Sequence, residues 1–75
     1  ASWVARLRKT YPLLTERQVK IASWIAAGAD SAQIARILNI DRLSVNKARY
    51  RLRSRLNLPR GSDLDKFLRD FGMNS

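Results

Sequence analysis

The sequence predicts an all-α domain of four helices, with a short additional helix fitting the N-terminus. Three observations carry this. Apolar residues recur at helical spacing, as in Ile21, Ala22 and Ile25 or Val45, Ala48, Leu52 and Leu56. Side chains suited to helix starts stand just ahead of those stripes, at Thr15, Asp30, Asp41 and Ser62. Residues that end helices follow them, at Gly28, Asn39, Asn57 and Pro59.

The elements follow in order. Residues 1–9 carry Trp3, Val4 and Leu7 and fit a short helix, which Tyr11-Pro12 interrupts because proline disfavours helix in the residue before it. Thr15 to Gln18 has the form T-x-x-Q, a reciprocal cap, and opens a helix from Glu16 to Ala27. Gly28 ends it. Asp30, with Gln33 three residues on, opens a short helix from Ser31 to Leu38 that turns Ile34, Ala35 and Leu38 inward. Asn39 suits a left-handed turn, Ile40 plugs the core, and Asp41 caps the next helix, Arg42 to Leu56. Ser62-x-x-Asp65 opens a last helix with Leu64, Phe67, Leu68 and Phe71 apolar.

Composition narrows the function. Seventy-five residues make one small domain with little room for a shaped enzyme pocket. The chain has no His and no Cys, which removes imidazole bases, thiol nucleophiles and zinc-finger ligand sets. The acids Glu16, Asp30, Asp41, Asp63, Asp65 and Asp70 are scattered, and Gly28, Gly61 and Gly72 stand alone rather than in a phosphate loop. No enzyme activity, catalytic residue, metal or cofactor is expected. The net charge of +9 favours a polyanion partner. No apolar run approaches the ~20 residues that span a bilayer, and nothing reads as a signal peptide. The lack of Cys fits a reducing compartment, so a cytoplasmic, nucleoid-associated setting is expected. The start at Ala1, without Met, suggests a piece of a longer chain that keeps its natural C-terminus. Residues 1–13 then read as a linker or short helix from an upstream region, and residues 14–75 as the functional domain.

Two short helices joined by a three-residue turn, the second long and basic, describe a helix-turn-helix. Small Ala35 lets them cross closely, and Ile40 and Val45 fill the angle between them. From Arg42 to Arg60 the cations are Arg42, Lys47, Arg49, Arg51, Arg53, Arg55 and Arg60, and the same window holds no acid. With the Val45 stripe turned inward, the opposite face carries Leu43, Asn46, Lys47, Tyr50 and Ser54. Asn can pair with adenine, Lys can donate to guanine, and Tyr can meet a thymine methyl or a phosphate. The flanking arginines Arg42, Arg51, Arg53 and Arg55 suit phosphates, which set grip rather than sequence preference. Arg49 has two readings: a phosphate contact, or a brace of the fold towards Gln18, Glu16 or a helix end. Tyr50 either reads bases or covers apolar surface. Trp3 and Trp24 read as packing residues. The Leu64, Phe67, Leu68 and Phe71 stripe is core, part of which could form a dimer surface.

These segments resemble a known family. Leu14-Thr15-Glu16-Arg17-Gln18, the Gly28 turn, Gln33 to Ile40, and Ser44-Val45-Asn46-Lys47-Ala48-Arg49 look like the LuxR-type DNA-binding domain, also called GerE- or NarL/FixJ-type. The stretch Ala48 to Arg53, with Leu56 to Arg60 and Tyr11-Pro12, resembles versions at the C-termini of Bacteroidetes regulators. The resemblance spans about Leu14 to Phe71. It implies the C-terminal effector domain of a bacterial transcriptional regulator, controlled by an upstream sensor or receiver domain and bound to double-stranded DNA as a homodimer, with no membrane partner. By this resemblance the positions of Asn46, Lys47 and Tyr50 face bases, while Asp30, Ser31, Gln33, Ser44 and Arg51 lie near phosphates. The last helix, with Leu64, Phe67, Leu68 and Phe71, forms the dimer contact. Gln18 stands where the family often has Glu, so a charged bridge to Arg49 becomes a neutral bond. Asn46-Lys47-Ala48 stands where the family often has Lys-Val-His, so a relative's target sequence does not transfer. The competing reading is a protein-interaction module that binds through the Phe67/Phe71 helix, with the basic face incidental. The few exposed aromatics weigh against single-stranded RNA.

Overall fold

The computed structural model describes residues 2–71, which form five helices: α1 (Trp3–Thr10), α2 (Glu16–Ala26), α3 (Ser31–Leu38), α4 (Arg42–Arg55) and α5 (Leu64–Asp70). No strand occurs among the described residues. The expected bounds hold to within about two residues. The exception in kind is the start of α5. Its cap is Asp63, whose carboxylate accepts from the Lys66 amide at 3.0 Å, whereas the Ser62 hydroxyl donates backwards to the Pro59 carbonyl at 2.7 Å. A serine two residues ahead of the helix is better used closing the Pro59–Ser62 turn.

Every helix start is satisfied by a side-chain oxygen on the preceding residue: Ser2, Thr15, Asp30, Asp41 and Asp63. At α2 and α3 the cap is reciprocal. Thr15 and Gln18 exchange bonds of 2.9 and 3.1 Å, and Asp30 and Gln33 exchange two of 2.8 Å.

The ends of α2, α3 and α4 share one device. Gly28 (φ +100°), Asn39 (φ 56°) and Asn57 (φ 59°) take the left-handed conformation. The next amide then turns back to a carbonyl five residues earlier: Ala29 to Trp24 at 3.0 Å, Ile40 to Ala35 at 3.0 Å, Leu58 to Arg53 at 3.1 Å. Each of those next residues is apolar and packs on the core, so the turn that stops the helix also anchors the following segment.

The core gathers residues from every element, four of them from α2: Leu7, Val19, Ile21, Ala22, Ile25, Ile34, Val45, Leu52, Leu64 and Leu68 are all nearly or fully enclosed. α3 packs on α4, α5 packs on α2, and α1 joins α2. Of the expected inward residues of the central pair, Ile34 and Val45 are fully buried and Ala35 nearly so. Residues 2–13 are not a simple connector, because Leu7 has no exposed surface. Trp3 meets Phe71 edge-on, with ring centroids 6.1 Å apart, and Tyr11 and Phe67 close around the same ring. Trp3 and Trp24 are half-buried packing residues.

Candidate nucleic-acid interface

α4 lies across the molecule with one side buried and the other open. Val45, Leu52 and the cap residue Leu56 enter the core, while Leu43 and Tyr50 are 62% exposed. Tyr50 thus leaves most of its surface open, while it also borders Leu58 in an adjoining groove. Asn46, Lys47, Tyr50 and Arg51 line one shallow depression on this open side. Fourteen residues give α4 a length of about 21 Å at 1.5 Å per residue, close to what crosses a major groove and meets both phosphate walls.

The positive face is clean because the acids are used elsewhere. Asp30, Asp41 and Asp63 cap helices. Glu16 lies 4.0 Å from Arg8, and Asp70 lies 3.5 Å from Lys66. Asp65 pairs with Arg49. Asp41 stands directly ahead of α4 as its cap. Its Oδ1 accepts from the Ser44 amide at 2.7 Å. That bond, then the Ser44 hydroxyl and, more weakly, the Lys47 charge hold its carboxyl below the ordinary 3.8, against a small desolvation cost.

The expected phosphate contacts divide once placed. Arg42 and Ser44 sit exposed at the start of α4. Arg51 lies between Asn46, Lys47 and Tyr50 on one side and the start of α2 on the other, sharing a depression with Thr15, Arg17 and Gln18. Arg53 lines a groove with Tyr50, Ser54, Leu58 and Arg60. Asp30 and Gln33 hold each other in a reciprocal cap, with the Asp30 carboxylate accepting from the Gln33 amide of α3. Arg55 donates to the Leu13 carbonyl at 3.4 Å and lines a depression with Tyr11, Pro12 and Asn57, on the flank facing the N-terminal turn.

Arg49 resolves towards the brace, but with a partner the sequence reading did not name. Its guanidinium bonds the Asp65 carboxylate, tying α4 to the first turn of α5, and only 19% of its side chain is exposed. Gln18 and Glu16, the partners considered for it, are engaged with Thr15 and Arg8. The apolar stripe of α5 also divides. Leu64 and Leu68 are 1% and 0% exposed inside the protomer's own core, which takes them out of any dimer surface. Phe67 and Phe71 keep partial exposure.

Arg17 and Arg60 were not singled out as contacts, yet each borders the α4 face. Arg17 sits in the first turn of a different helix, so spacing along α4 could not reveal it. Arg60 follows the helix stop, and its return beside Tyr50 depends on the Asn57 turn.

A turn-linked helix pair with an exposed, acid-free basic second helix defines the class of helix-turn-helix DNA-binding regulators. The family model for bacterial regulatory proteins of the luxR family matches residues 12–65, and the chain belongs to that family. The match takes in α2, α3 and α4 and the first residues of α5, and leaves α1 outside. No curated protein and no solved structure matched the chain. No helix among the described residues is long and apolar enough to cross a membrane.

Proposed function

We propose that this domain recognises a specific double-stranded DNA sequence as the C-terminal effector of a transcriptional regulator, by laying α4 in the major groove. The observation that carries this is the open side of α4, where Leu43, Asn46, Lys47 and Tyr50 project together and the helix itself carries cations and no acid. In this reading those four side chains meet base edges. Arg42, Ser44, Arg51 and Arg53 grip phosphates, joined by Arg17 and Arg60. Pairing of two copies on DNA would fall to Phe67 and Phe71, since Leu64 and Leu68 are committed inward. An upstream sensor or receiver domain would supply control, in the cytoplasm.

The test is a salt titration of binding to a duplex selected from a random pool. Each neutralised phosphate contributes about 0.9 to the slope of log K against log salt, so four to six contacts predict a slope of roughly −4 to −5 per copy. A nearly flat plot refutes the reading. No binding at low salt, together with self-association through the Phe67/Phe71 face, favours the protein-interaction module instead.

A further inference from the structure

Ser31 is the first residue of α3, and its hydroxyl does not cap that helix. Asp30 does so, accepting from the Gln33 amide at 2.8 Å. The Ser31 hydroxyl instead donates to Oδ1 of Asn46, 3.3 Å away across the helix-turn-helix. Asn46 is exposed, and an exposed asparagine side chain otherwise samples several rotamers and both amide orientations. The amide N–H groups at the first turn of α3 give that end positive potential, which favours the oxygen of Asn46 over its NH2 on the α3 side. The NH2 group and the second lone pair of Oδ1 then remain for a base.

We infer that Ser31 is a positioning residue for base recognition: it sets the Asn46 carboxamide before DNA arrives, and so determines specificity at the base pair Asn46 meets. This rests on the proposed DNA reading of α4. The alternative role for Ser31 is a phosphate contact, which fixes register and strength without sequence information. The two roles leave different signatures. A positioning residue acts through Asn46, and its loss costs the preferred base more than the others. A phosphate contact costs every sequence alike.

The experiment compares the native chain with Ser31→Ala, Ser31→Thr, Asn46→Ala and the double variant Ser31→Ala/Asn46→Ala. The preferred duplex is first selected from a random pool by the native chain. Affinity is then measured, at one salt concentration, on that duplex and on duplexes substituted at each position. Asn46→Ala marks its base pair by flattening preference there. Ser31→Ala is expected to reduce discrimination at the same base pair by about 2- to 10-fold, the worth of one net hydrogen bond. Ser31→Thr keeps the hydroxyl and restores it. The double variant adds nothing to Asn46→Ala alone at that position. Asp30 still caps α3 in all of them, and unchanged thermal unfolding checks the fold. Equal loss on all duplexes, or lost preference at a different base pair, overturns the inference while leaving the DNA reading intact. Failure of the native chain to bind any duplex overturns both.

Discussion

Replacing Arg49 with Met tests whether this cation braces the fold or grips DNA. Methionine keeps most of the stem but removes the guanidinium that bonds Asp65. The pair is neither deep nor fully wet, with side chains 19% and 36% exposed. Breaking a fully buried pair costs about 3–5 kcal/mol, and a surface pair about 0–1. Two features lower the figure here. Asp65 keeps contact with water, and it lies in the first turn of α5, where the helix end favours a negative charge. We therefore expect about 1–2 kcal/mol for Arg49→Met. At roughly 4–8 °C per kcal/mol for a domain of this size, the midpoint falls by about 5–15 °C. The assay is thermal unfolding by circular dichroism on Arg49→Met, Asp65→Asn and both together. Contacting residues should not add, so the double variant should be more stable than the sum of single losses predicts, by about 1 kcal/mol. DNA affinity measured well below the midpoint should keep its salt slope. Additive losses, or an unchanged midpoint with a slope reduced by about 0.9, would show a phosphate contact and refute the brace.

Two further outcomes follow from the fold. Leu7→Ala removes a fully enclosed side chain of α1 and should cost about 2–4 kcal/mol by denaturant unfolding; a loss under about 0.5 kcal/mol would show that α1 is appended rather than integral. Asp41 titrates below its ordinary 3.8, so its contribution is present above that value and is lost as pH falls through the lower folded value. Asn also caps helices but carries no charge. The melting-point advantage of the native chain over Asp41→Asn at pH 7 should therefore shrink by pH 2, and an equal gap at both pH values would contradict the assignment.

The helices were legible because their signals are local. Caps at Thr15, Asp30 and Asp41 act on an amide three residues away, and Gly28 and Asn39 end their helices through backbone conformation alone. The inward and outward sides of α4 follow from 3.6 residues per turn, so the exposure of Leu43 and Tyr50 needed nothing beyond the helix itself. A charged side chain adjacent to the buried stripe is different. Arg49 could turn to any neighbour, and only the docking of α5 brought Asp65, 16 residues on, within reach. The same holds for Arg55 with the Leu13 carbonyl, 42 residues apart, and for Ser31 with Asn46, 15 apart.

Local order thus determines where each helix begins, ends and faces. How five short helices share one core determines the rest. A stripe such as Leu64, Phe67, Leu68 and Phe71 reads the same whether it meets its own protomer or a second one. Packing against α2 and the ring of Trp3 enclosed two of the four and left two partly open. Burial is a property of what lies opposite a surface, and the sequence of one helix does not contain its neighbour. The basic face of α4 was written in its residues, and which of them are left open and which, like Arg49, are tied into the fold came from the elements packed around it.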